Sequence, residues 1–133
     1  MLLRRPGNLG GASRLERRMA KNDDDHAQVY ARFHEAVNMA PAEIEEWLET
    51  EDSRKVGFKR DGGESVGHAS GRRIVQILRT KKAELDGGDY AHMRKVVGYV
   101  RRHLAQGPHD EHKIPGSRWR YSLMNWGHDP LKD

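Results

Sequence analysis

The apolar pattern of residues 89–106, DYAHMRKVVGYVRRHLAQ, constrains the fold of this chain more than any other feature. Its apolar side chains recur at intervals of three and four residues, at Tyr90, Met93, Val97, Val100 and Leu104. This spacing places them on one face of an α-helix. No segment of the chain alternates convincingly with the period of two that a half-buried β-strand shows. We therefore predict an all-α fold, a compact bundle of four main helices plus short helical pieces.

The other helices are predicted from apolar stripes and from the residues that begin or end helices. The first begins after the acidic run 23–25, whose charge suits the positive end of a helix. The second begins at Pro41, because proline is favoured in the first turn. The third covers residues 71–84 behind the capping residue Ser70, and a short last helix follows over 118–126.

Length and composition limit the class of protein. The chain has 133 residues, of which 35% are hydrophobic, and we assign residues 23–133 to a single helical domain. No apolar run is long enough to cross a membrane, so we expect no membrane partner. Cysteine is absent, which excludes disulfides and agrees with a cytoplasmic location. The sequence predicts no cofactor and no metal site.

Residues 1–22, MLLRRPGNLGGASRLERRMAKN, differ from the rest. They contain six Lys and Arg residues against one acid, and they show little periodicity. We interpret them as a disordered basic arm or as a non-native leader outside the fold. A leader that is rich in arginine and poor in acids also resembles an organelle transit peptide.

Charge is strongly segregated along the chain. Residues 22–53 contain ten acids and one Lys or Arg, whereas residues 54–82 contain nine bases and two acids. Residues 94–120 are basic again, with seven bases and two acids. Either the acidic and basic segments neutralise one another inside the domain, or the basic segments form a surface for a polyanion.

The segment GESVGHASGRRIVQIL, residues 63–78, joins a glycine-rich stretch to a basic helix. It is not a nucleotide-binding P-loop, because His68 stands where the phosphate-binding lysine would be and no magnesium-binding hydroxyl follows. In one interpretation, amides at the helix start, the hydroxyls of Ser65 and Ser70, and Arg72 with Arg73 contact phosphates. In the other, glycines spaced by four only allow close packing.

Our leading hypothesis is a non-enzymatic protein that binds nucleic acid, mostly the phosphates of duplex DNA, with little sequence specificity. It requires cations of the third and fourth helices to converge on one surface. The main predicted contacts are five cations: Arg72, Arg73, Arg79, Lys81 and Lys82. Lys59, Arg60, Arg101 and Arg102 flank them, and Ser65 and Ser70 are predicted to add hydroxyl contacts.

Two other functions remain open. The acidic helix 41–51 could pair with a basic surface on a partner, or on a second copy in a homo-dimer, which would make the chain a protein-interaction module. Alternatively, His68 with Glu64 four residues earlier could act as a general base on a phosphorylated substrate.

Four segments between Phe33 and Lys132 carry a resemblance to a known family: FHEAVNMAPAEIEEWLETEDSRKVGFK, DGGESVGHASGRRIVQIL, DYAHMRKVVGYVRRHLAQ and RWRYSLMNWGHDPLK. Together they resemble a family of small bacterial and fungal proteins of unknown function, some of which carry a DNA-binding label. Members begin just before FHEAVNM, so the resemblance implies that residues 1–22 are an appendage. It implies no catalytic residues, and it slightly favours nucleic-acid binding.

Overall fold

The computed structural model describes residues 14–57, 63–108 and 110–132, with side chains from Asp25 onward. Within these ranges all regular structure is helical, which confirms the predicted all-α fold. The helices are α1 (Arg14–Ala36), α2 (Pro41–Leu48), α3 (Glu51–Lys55), α4 (Val66–Leu78), α5 (Gly87–Gln106) and α6 (Arg118–Asn125), with short 3-10 turns at Lys82–Glu84 and Glu111–Lys113. No described helix is both long and apolar enough to cross a bilayer.

Two helix pairs form most of the bundle: α1 packs against α5, and α2 packs against α4. The short helix α6 contacts α2, α3, α4 and α5 and so closes the core between the pairs. The predicted apolar stripes supply this core, because burying them is the main favourable term in folding. Its fully buried members include one large side chain from each of five helices: Phe33, Ile44, Ile74, Met93 and Leu123.

A buried polar network centred on Asn125 joins α6 to α2 and α3. The side-chain oxygen of Asn125 accepts hydrogen bonds from Trp47 Nε1 at 2.7 Å and from Ser53 Oγ at 2.5 Å. Its amide nitrogen donates to the Ser53 carbonyl at 3.0 Å. Both polar atoms of this side chain therefore have partners, as a fully buried amide requires.

The first helix begins at Arg14, earlier than the predicted start after Asp25. Residues 14–22 of the predicted arm are therefore helical, and residues 1–13 lie outside the described part. The segment RLERRMAK consists of residues with high helix propensity. It lacks the apolar stripe from which the helix was predicted, and this explains the misplaced boundary.

The start of α4 also differs from the prediction. The helix begins at Val66, where Ser65 Oγ accepts a hydrogen bond from the His68 amide at 3.0 Å, and it ends at Leu78. Ser70 is therefore not the cap but lies inside the helix. Gly67 and Gly71 of the glycine-rich stretch therefore lie in the first two turns of α4, because tertiary packing overrides the low helix propensity of glycine.

Packing explains the glycine at position 71. A Cβ atom there would lie 2.7 Å from the Asn125 carbonyl oxygen and 2.8 Å from Leu48 Cδ2. Gly67 similarly faces the Trp126 indole, whose Nε1 atom would lie 3.0 Å from an added Cβ. The close approach of α4 to α2 and α6 therefore requires small residues at both positions, as the packing interpretation of these glycines predicts.

Candidate nucleic-acid interface

Arg72, the first predicted contact, is occupied by a carboxylate of its own chain. Its Nε atom donates to Glu64 Oε2 at 2.9 Å and its Nη2 atom to Glu64 Oε1 at 2.5 Å. This two-point pair uses the planar edge with which arginine also binds phosphate. Hydrogen bonding from Arg72 is the largest cause that lowers the pKa of Glu64, so the carboxyl is ionised and opposes the positive charge.

Arg79 is paired with the acidic helix. Its two terminal nitrogens donate to the two Glu45 carboxylate oxygens, each at 2.7 Å. Glu45 lies on α2, the partner of α4 in the bundle. This contact is the mutual neutralisation of acidic and basic segments that the charge pattern left open, and hydrogen bonding from Arg79 lowers the pKa of Glu45.

Arg73 makes a weaker contact. Its Nη2 atom donates to Asp89 Oδ1 at 2.9 Å, and the Arg73 side chain stays 41% exposed. Asp89 also accepts a hydrogen bond from the backbone amide of Asp86, which is the main reason that its pKa is lowered. Three of the five main predicted contacts are therefore ion-paired.

The two predicted hydroxyl contacts are buried. Ser65 is 1% exposed and caps α4, whereas Ser70 is 4% exposed and lies 2.9 Å from His92 Nε2. Both hydroxyls therefore have partners inside the protein. This arrangement contradicts the prediction that they lie at a solvent-facing phosphate site.

The remaining predicted contacts have different surroundings. Lys81 and Lys82 are exposed in the turn after α4, and Lys82 Nζ lies 4.6 Å from the centre of the Tyr30 ring. This geometry is a cation–π contact with α1. Lys59 and Arg60 lie outside the described residues.

The cations on the outer face of α5 differ from the ion-paired arginines described above. Arg94, Lys95, Arg101 and Arg102 are all exposed and are here called the α5 basic face. The residues of each pair spaced by seven lie almost directly above one another, two turns apart. The ion pairs within the described ranges include none of these four side chains.

A groove between α1 and α5 extends this face. It encloses about 390 Å³ and is lined by Arg32 and Gln28 of α1 and by Arg94, Gly98 and Arg101 of α5. Asp25 also lines the groove, but it lies more than 4 Å from each of these arginines, too far for an ion pair. The groove therefore adds Arg32 to the cations of the α5 basic face.

One protein family matches the chain over residues 32–124, and it is described as proteins of unknown function (DUF3140). The chain belongs to this family. No curated protein and no solved structure matches the chain.

The family region begins at Arg32, in the second half of α1, and ends within α6. Both the ion-paired arginines of α4 and the α5 basic face lie inside it. This membership confirms the part of the sequence resemblance that concerns a family of unknown function.

The His68–Glu64 pair predicted as a possible catalytic dyad does form a contact. His68 Nδ1 lies against Glu64 Oε2, and His68 Nε2 lies 2.7 Å from the Leu48 carbonyl oxygen. Glu64 also binds Arg72. Both ring nitrogens therefore face oxygen atoms of the protein, and this arrangement joins α4 to α2 rather than presenting a base to a substrate. Within the described ranges, no three His, Asp or Glu side chains come together as a metal site.

The sequence prediction gave too little weight to the exposed cations of α5, which have no ion pair in the described ranges. Arg94 and Lys95 were absent from the predicted contact set, although their spacing of seven from Arg101 and Arg102 already placed all four on one helix face. Arg32 had no such signal, because its place beside α5 depends on the packing of α1. The same holds for His92, whose contact with Ser70 joins two helices.

Proposed function

We propose that this protein binds the phosphate backbone of nucleic acid, duplex DNA above all, through the α5 basic face together with Arg32. The observation that carries this proposal is the set of four exposed cations on one side of a helix, free of carboxylate partners in the described ranges. Uncompensated cations release counterions from a phosphate backbone, whereas ion-paired ones must first break their contacts.

The shape of this face supports backbone contacts. From Arg94 to Arg102 it spans about 12 Å of helix, and the residues that share this side of α5 are small: Ala91 before Arg94, Gly98 between the two pairs, and Ala105 after Arg102. A smooth face lets the long cationic side chains reach several phosphates without steric obstruction. Phosphate contacts carry no direct sequence information, so we expect low sequence specificity.

Salt dependence tests the proposal directly. If about five cations each neutralise one phosphate, the logarithm of the association constant should fall against the logarithm of salt concentration with a slope of roughly −4.5. Fluorescence anisotropy of a labelled duplex, titrated across salt concentrations, measures this slope. A slope near zero would contradict the proposal.

Paired variants locate the interface. Arg101→Ala with Arg102→Ala should weaken duplex binding about tenfold and make the salt slope shallower by about 2. Arg72→Ala with Arg79→Ala removes the same charge from ion-paired positions and should leave the slope unchanged. Equal effects of the two double variants would show that net charge, not the α5 basic face, governs binding.

The alternative, a protein-interaction or homo-oligomerisation module, depended on the acidic helix. Two of its glutamates already have cationic partners in the chain, since Glu45 binds Arg79 and Glu43 binds Lys132. Size-exclusion chromatography with light scattering distinguishes the two functions. A salt-sensitive dimer without affinity for DNA would favour the interaction module over our proposal. We also propose the cytoplasmic location that the sequence predicts.

A further inference from the structure

A second cleft lies between the first half of α4 and α5. It has a volume of about 520 Å³, within the range of roughly 300–1,000 Å³ that small-molecule sites occupy. Its lining combines apolar groups, Val66, Ala69 and the Trp126 indole, with the polar Ser65, Ser70, Arg73, His92 and Lys95. Glu64 also lines the cleft, but its carboxylate binds Arg72 and His68. Such a combination of apolar surface and a few convergent polar groups is typical of sites for small organic ligands.

Arg73 is the arginine of α4 that remains able to bind an anion. Its guanidinium makes a single hydrogen bond to Asp89 among the described residues, whereas Arg72 and Arg79 each bind a carboxylate at two points. Most of the N–H donors of Arg73 are therefore uncommitted within the described part. The arginine fork matches the geometry of phosphate oxygens.

His92 lines the cleft together with the cations Arg73 and Lys95. Its Nε2 atom lies 2.9 Å from Ser70 Oγ, and its ring is nearly parallel to the Trp126 indole, with centroids 6.2 Å apart. Burial lowers the pKa of His92, and the positive charges of Arg73 and Lys95 lower it further. The Asp89 carboxylate acts in the opposite direction as a smaller cause.

We propose that this cleft binds the phosphate monoester of a small organic molecule, with the phosphate beside Arg73, Lys95 and His92 and the organic group against Val66 and Ala69. A phosphate monoester carries nearly two negative charges at neutral pH, which suits a site with two cations and a hydrogen-bonding ring. This site goes beyond the proposed DNA interface, because Arg73 and His92 do not belong to the α5 basic face, with which the cleft shares Lys95.

Histidine NMR with phenyl phosphate as the probe tests the proposal. Phenyl phosphate should shift the His92 ring signals saturably and raise the pKa of His92, because a bound anion favours the charged imidazole. His34 and His103 serve as controls in the same molecule and should keep their titration curves. A His92 signal that phenyl phosphate leaves unchanged would overturn the proposal.

Variants identify the groups that bind the phosphate. Arg73→Gln and Lys95→Ala should each weaken phenyl phosphate binding about tenfold, as expected for hydrogen bonds to charged groups. Arg79→Gln removes an arginine that does not line the cleft and that binds Glu45, and it should bind phenyl phosphate like the wild type. Lys95 is exposed and lacks an ion pair in the described ranges, so its variant tests the site even if loss of Arg73 impairs folding.

The choice of probe shows whether the cleft recognises both parts of the ligand, the ring and the phosphate. Benzoate or inorganic phosphate binding as tightly as phenyl phosphate would overturn the proposal, since the cleft would then recognise only a ring or only an anion. Arg101→Ala with Arg102→Ala should bind phenyl phosphate normally while binding duplex DNA about tenfold more weakly. If this double variant lost the small ligand as well, the probe would be reporting the α5 basic face and not the cleft.

Discussion

The helices α4 and α5 are both basic in sequence, but the structure uses their charges differently. Arg72 and Arg79 of the α4 region each bind a glutamate at two points, whereas Arg101 and Arg102 of α5 remain exposed and outside the ion pairs of the described ranges. For Arg79 the difference arises from the partner helix, since α4 packs against the acidic α2 whereas α5 packs against α1. For Arg72 it arises from Glu64, which lies just before α4 in the chain.

This contrast shows that the number of cations in a segment is a poor guide to its availability. An exposed ion pair contributes little to stability, typically about 0–1 kcal/mol. It nevertheless places a negative charge beside each guanidinium and so cancels most of the potential that a polyanion would experience. Availability depends on which carboxylates the fold brings near.

Glycine substitutions give the largest expected difference between the two helices. Gly71→Ala should lower the free energy of unfolding by about 1–3 kcal/mol, because its Cβ would collide with the Asn125 carbonyl and Leu48. Gly98→Ala on α5 would meet only the flexible tip of Arg102. We expect it to be neutral or stabilising by up to about 1 kcal/mol, the helix-propensity gain.

Urea unfolding followed by circular dichroism measures both glycine variants under identical conditions. Equal destabilisation would mean that the outer side of α5 is packed as tightly as the inner side of α4. The face of α5 would then be less accessible to a ligand than its exposure indicates.

The same glycines show what the sequence could and could not predict. Pro41 at the start of α2 and the apolar stripe of α5 from Tyr90 to Val100 were predicted correctly, because proline chemistry and periodicity are local signals. Leu104, the last predicted member of that stripe, lies in the last turn of α5 and is 41% exposed, so this part of the prediction was wrong. The extent of α4 was predicted wrongly, because Gly67 and Gly71 are typical of a loop in the sequence. Only their packing against α6 and α2 shows why they belong to a helix.

The candidate site was less predictable than the fold. The spacing of Arg101 and Arg102 from Arg94 was visible in the sequence, but the pairing of Arg79 with Glu45 joins residues far apart in the chain. Side-chain pairing between helices depends on their packing, which local patterns do not encode. This is why the predicted contacts were placed mainly in α4 and the segments beside it.

Acidification should lower the stability of the protein through two histidines of α5, His92 and His103, and not through the α5 basic face. Burial lowers the pKa of His92 and of His103 from 6.5, the ordinary value for histidine. The unfolded chain therefore binds protons more readily than the folded protein does. The stability that depends on keeping these rings neutral is present above pH 6.5 and is lost as pH falls through their lower folded-state pKa values.

His103 provides the sharpest variant for this effect. Its ring stacks on Tyr99 at a centroid distance of 5.0 Å, and its Nε2 atom is buried without a partner in the described ranges. His103→Phe keeps an aromatic ring but removes the titrating group, so thermal unfolding between pH 8 and about pH 5 should show a flatter profile. His112→Gln alters an exposed histidine and should retain the wild-type profile. If His103→Phe also retained the wild-type pH profile, the buried His103 ring would not be a source of acid sensitivity.

The smallest expected effect tests why the cations of the α4 region are not expected to bind DNA as those of α5 are. The reason is either their ion pairs or their position in the fold. Glu45→Gln releases Arg79, whereas Glu46→Gln removes the same charge from a neighbouring glutamate that has no ion pair in the described ranges. Arg79 lies in the groove between α2 and α4, away from the groove that α5 shares with α1. Both variants should therefore raise duplex affinity equally, by less than about twofold, through long-range charge alone. A larger gain in anisotropy titrations for Glu45→Gln would mean that α4 belongs to the binding surface and that its glutamate partners regulate access to it.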